Sequence, residues 1–98
     1  MFNWKRSREI ENFAVGLARG FAGRFPPHES QEPKTAKLAG AIDDACNRAA
    51  AYQREHRLGI YGKAKFGTCF KFELSQIGYP EEFIETFTRQ LLLTMSGK

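Results

Sequence analysis

The sequence predicts an all-α fold, a compact bundle of about four helices at roughly residues 5–24, 35–57, 63–77 and 80–95. Three observations carry that prediction. Apolar residues recur at steps of three and four along the first, second and last segments, which places them on one helical face. Proline is confined to the joints, at Pro26-Pro27, Pro33 and Pro80, where it ends or starts helices without breaking one. The only segment with strand character has no second strand to pair with, and an isolated strand is not stable.

In the first segment Ile10, Phe13, Ala14, Leu17, Ala18, Phe21 and Phe25 share a face, and Arg8, Glu9, Glu11, Arg19 and Arg24 occupy the rest. Gly16, Gly20 and Gly23 interrupt the helix, each at about 0.8–1.0 kcal/mol relative to alanine. They lie on a common side, where the expectation is close approach of another backbone. Pro26-Pro27 ends the helix, and the polar stretch FPPHESQEPK reads as a surface loop.

The second segment carries a seam of Leu38, Ile42, Ala45, Ala49 and Tyr52, with alanines that favour helix and permit close packing. Arg54, His56 and Arg57 fill its last turn, where positive charge complements the helix dipole. Gly59 is expected to stop the helix in the left-handed conformation.

The third segment fits two patterns. Phe66, Phe70, Leu74 and Ile77 suit a helical face, while Phe66, Thr68, Phe70, Phe72 and Leu74 suit a strand. The missing pairing strand favours helix, as does the ending Ile77-Gly78-Tyr79-Pro80, which has the form of a cap followed by a new start. In the last segment Pro80 suits a first helical position, and Glu81 and Glu82 favour the dipole there. Phe83, Ile84, Phe87, Leu91, Leu92 and Met95 then form a wide apolar face, with Leu93 outside it.

Length and composition bound the rest. The 98 residues are expected to form a single helical domain, 1–98, and the 42% hydrophobic share with nine phenylalanines can build one core. No apolar run approaches the ~20 residues of a membrane span, and no stretch has the form of a secretory signal. With only two cysteines, the expected setting is the cytoplasm, with both thiols free. A net charge of +4 permits a polyanionic partner without demanding one.

Catalytic groups are sparse. His28 falls in the proline loop and His56 at a helix end, too far apart in sequence and too few to suggest a metal site with Cys46 and Cys69. The cysteines do not form a CxxC pair, and Cys46 sits among alanines as a small hydrophobe would. Asp43 and Asp44 diverge by about 100° on a helix and cannot face one metal. No catalytic residue, cofactor or small-molecule ligand is expected.

The remaining signal is LGIYGKAKFG at 58–67, inside a basic tract spanning residues 54–71. Arg54, Arg57, Lys63, Lys65 and Lys71 stand there against one acid, Glu55, with Tyr61 the aromatic most available to a partner. A P-loop is excluded, because the position for its first glycine holds Arg57 and that for its hydroxyl holds Ala64. Gly59-Ile60-Tyr61-Gly62, followed by Lys63, resembles the GxxG loop of KH domains over residues 58–66. That resemblance implies contact with the backbone of about four nucleotides. The chain departs from the family in having no basic residue at positions 60 and 61, and no candidate for the family's sheet. Independently of it, a helix starting at Lys63 would offer free N–H groups to an anion. The candidate contact residues are therefore Arg57, Gly59, Tyr61, Gly62, Lys63 and Lys65.

Two functions are expected from this. The first is a small non-enzymatic helical module acting through another protein or through itself, as a homodimer. The second is nucleic-acid binding through the basic GxxG turn. A membrane-surface role, suggested by Trp4, Lys5, Arg6 and Arg8 beside an apolar stripe, is disfavoured by the acids of the same helix.

Overall fold

The computed structural model describes residues 4–27 and 36–96. Four helices account for nearly all of them: α1 (Trp4–Arg24), α2 (Ala36–His56), α3 (Ile60–Ile77) and α4 (Glu81–Ser96), with no strand among the described residues. The ambiguous third segment is thus helical. Of the polar loop, residues 28–34, with His28, lie outside the described residues.

Side-chain pairs fix the topology. Glu11 meets Lys65, Arg19 meets Glu73 and Phe25 meets Tyr79, always 54 residues apart. A constant offset along both helices means that α1 and α3 run parallel. Between α1 and α2 the pairing runs the other way, with Arg24 at Asp44, Phe13 at Tyr52 and Arg6 at His56. Lys71–Glu85 and Lys63–Ser96 likewise make α3 and α4 antiparallel. The chain therefore runs up, down, up and down.

The most extensive packing is between the parallel pairs, α1 with α3 and α2 with α4, while α1 packs only loosely on α2. Small residues allow it: α1 buries Ala14 and Ala18, and α2 buries Ala41, Ala45 and Ala49. Phe66, Phe70, Leu74, Phe87 and Leu91 are the largest side chains completely removed from water. Phe21 gathers Phe25, Tyr79, Phe83 and Phe87 around it, with ring centroids 4.7–6.2 Å away. Truncating one of these rings to alanine would cost about 3–5 kcal/mol.

Gly16, Gly20 and Gly23 do not serve close approach. A Cβ added at any of them would meet nothing within 4 Å, because they face solvent on the loosely packed α1–α2 side. The glycines that do serve packing are Gly62, against Leu58 and Ile10, and Gly67, against Leu92.

The α2–α3 joint also differs from the sequence expectation. The left-handed residue is Arg57, with φ 53°, whereas Gly59 is extended at φ −81°, ψ −168° and caps α3. Helical bonding in α2 continues to the Arg57 amide, which donates to the Gln53 carbonyl at 2.7 Å. Leu58 must then turn inward to be buried, so the reversal falls at Arg57, two residues before the glycine. Consequently α3 starts at Ile60, three residues earlier than expected. Gly78 is the left-handed cap of α3, at φ 119°, as the sequence anticipates. Pro80 stands just before α4, its carbonyl accepting the Ile84 amide at 3.0 Å.

Candidate functional site

The up-down-up-down course brings the start of α1, the end of α2, the start of α3 and the end of α4 to one end of the bundle. There α1 supplies Lys5, Arg6 and Arg8, α2 supplies Arg54, the turn after it Arg57, and α3 supplies Lys63 and Lys65. The acids near that end are Glu9, Glu11 and Glu55. Among the described residues the other end balances Arg19, Arg24, Lys37, Arg48, Lys71 and Arg89 against Asp43, Asp44, Glu73, Glu81, Glu82 and Glu85. Several of these are paired directly, as in Arg19–Glu73, Arg24–Asp44, Arg48–Asp44 and Lys71–Glu85. The net positive charge of the described helices thus resides at one end.

An open groove of about 630 Å³ lies at this end between the first turns of α1 and α3. Arg6, Ser7 and Ile10 form one wall, and Gly59, Tyr61, Gly62, Ala64, Lys65 and Thr68 form the other, with Arg57 between them. The N-cap Gly59 has no side chain to cap α3, and no acid occupies the first turn. The first helical bond of α3 runs from the Lys63 amide to the Gly59 carbonyl at 3.0 Å. The amides of Ile60, Tyr61 and Gly62 precede it and have no acceptor within the helix.

Each basic wall residue has a definable position. Arg6 Nη2 donates to the carbonyls of His56 at 2.5 Å and Arg57 at 3.2 Å, placing a cation at the negative end of α2. This contact holds the Arg57 turn against α1. Lys65 Nζ stands 4.0 Å from Glu11, a distance that leaves it largely screened by solvent. Arg57 is exposed and has no acidic partner among the described residues.

Of the six residues singled out from sequence, Arg57, Gly59, Tyr61, Gly62 and Lys65 line this groove together. Lys63 does not. Its Nζ turns to the far side of α3 and donates to Ser96 Oγ at 3.3 Å, near a second hollow shared with Arg54 and Arg57. With α3 helical from Ile60, positions 63 and 65 diverge by about 200°. Sequence reading missed Arg6 and Ser7, whose nearness to residues 57–65 depends on the parallel pairing of α1 with α3. The basic opening KRSR was visible, but nothing local tied it to the GxxG turn.

Among the described residues the large exposed apolar side chains are Ile60 (89%), Tyr61 (77%), Phe72 (63%) and Leu93 (64%). All belong to α3 or α4. Phe66 and Phe70 are buried as their spacing suggests, but Phe72 is not, because position 72 falls opposite the core face of α3.

Both cysteines are free thiols, Cys46 buried and Cys69 half-buried. Burial pushes each thiol up, away from the thiolate a nucleophile requires. Among the described residues no group of three His, Cys, Asp or Glu side chains could hold a metal ion, and no helix is long and apolar enough to cross a membrane. Comparisons with protein families, with curated proteins and with solved structures find no match.

Proposed function

We propose that the chain is a small helical binding module without a catalytic centre, and that its basic end engages nucleic acid. The observation that carries this is the segregation of charge: an unbalanced cluster of Lys and Arg surrounds a groove whose rim bears an exposed tyrosine. Phosphates supply the complementary charge, and groove-lining cations gain binding energy by releasing condensed counterions. The first turn of α3, where Gly59 offers no capping side chain, faces the same end and adds to its attraction for anions. A cytoplasmic setting suits the two free thiols.

The test is fluorescence anisotropy with a labelled oligonucleotide between about 50 and 200 mM salt. Affinity is expected to fall steeply with salt. Lys65→Glu is expected to weaken binding more than Lys63→Glu, although both change charge equally, because only Lys65 lines the groove. No binding at low salt, or equal loss from the two substitutions, contradicts the groove as the site.

A second reading rests on Phe72 and Leu93, whose exposure suits a protein partner or a second copy of the chain. Sedimentation as a monomer that Phe72→Ser and Leu93→Ser leave unchanged would argue against self-association.

A further inference from the structure

Resting on the nucleic-acid reading, we infer that the preferred ligand is a single strand whose bases stack on the outer face of α3. Tyr61, Lys65, Thr68 and Phe72 follow one another at steps of four, three and four, so they form one stripe along the helix. The first three line the groove, and Phe72 lies one turn beyond its end. Tyr61 and Phe72 are both mostly exposed, and eleven residues of helix separate them by about 16 Å. That exceeds the ~3.4 Å rise of one nucleotide in a stacked strand, so the two rings would meet different bases.

The combination selects a single strand. In a duplex the faces of the bases are hidden by stacking, and an exposed aromatic on a helix surface gains little from them. A single strand presents every base face, and aromatic platforms beside a basic track bind such strands with little sequence preference. Here Arg57 and Lys65 border the track at the basic end, and the rings lie along its continuation. The stripe thus gives a reason for Phe72, an exposed aromatic that the core does not use.

The experiment compares a labelled (dT)12 strand with the same length of duplex at low salt. The expected result is tighter binding of the single strand. Tyr61→Ser and Phe72→Ser should each lower single-strand affinity about 5–150-fold while leaving duplex affinity and the salt slope unchanged. Both positions are exposed, so circular dichroism should show both variants folded. If Arg57→Glu and Lys65→Glu abolish binding but the two serine variants bind as the parent does, stacking is overturned while the nucleic-acid reading stands. If the parent chain binds neither probe, both are overturned. A dimer dissociated by Phe72→Ser, with no affinity for either probe, would assign the stripe to protein contact instead.

Discussion

The hydroxyl of Tyr79 donates a 2.6 Å hydrogen bond to the main-chain carbonyl of Phe25, within a buried cluster of rings. It ties the end of α1 to the joint between α3 and α4, closing the bundle at the end opposite the groove. Tyr79→Phe removes the donor and leaves the Phe25 carbonyl buried without it. The expected cost is about 1–3 kcal/mol, read as a lower Tm by thermal circular dichroism.

The same residue predicts an alkaline limit. Burial pushes the Tyr79 phenol from its usual 10 up to about 12. In the unfolded chain that proton is lost first, near pH 10, so unfolding is increasingly favoured between pH 10 and 12. The contribution is complete below pH 10 and gone above 12. Denaturation at stepped pH should show stability falling faster in the parent than in Tyr79→Phe. The excess slope is at most about 1.4 kcal/mol per pH unit.

What was legible in the sequence was what is decided locally. The apolar faces of α1, α2 and α4, the Glu81-Glu82 first turn and the cap at Gly78 depend on neighbours a few residues away, and the structure agrees with each. Arg57 was not legible, because a glycine two residues later offered the cheaper left-handed position. What moves the turn is tertiary: Leu58 is drawn into the core, and Arg6 binds the carbonyls of His56 and Arg57. The groove was half legible for the same reason, since its α3 wall is one continuous motif and its α1 wall arrives only through topology.

Gly16 and Gly20 stand inside α1 with open space where a side chain would project. Alanine there should stabilise the fold by about 0.4–1 kcal/mol per site, by restricting the unfolded chain and favouring helix. The double variant is expected to unfold at a higher denaturant midpoint with an unchanged m value. A loss of stability would mean that this face is packed against something in solution.

The two glycines of the GxxG turn should respond oppositely. A Cβ at position 62 would lie 3.1 Å from Leu58 Cβ and 3.5 Å from Ile10 Cδ1, and the buried Leu58 cannot withdraw. Gly62→Val is therefore expected to cost about 1–3 kcal/mol. Gly59 meets nothing and has ordinary extended geometry, so Gly59→Asp adds a helix cap and a favourable charge. It should raise stability by a few tenths to about 1 kcal/mol. Because it also places an acid at the mouth of the groove, the same variant should bind oligonucleotide more weakly while melting higher.

Arg57 separates fold from function most cleanly. An L-residue in the left-handed region pays about 1–2 kcal/mol, and glycine escapes most of that at the expense of a freer unfolded chain. Arg57→Gly should thus stabilise the protein by about 0.5–1 kcal/mol, since the two bonds from Arg6 to this turn go to main-chain carbonyls that glycine keeps. Its guanidinium, however, is the cation between the two walls of the groove. Removing it should weaken single-strand binding and reduce the slope of log affinity against log salt by about 0.7, the share of one phosphate contact. A variant that is both more stable and less able to bind would show that the strained turn is retained for the side chain it presents. Unchanged affinity and slope would show that Arg57 makes no phosphate contact.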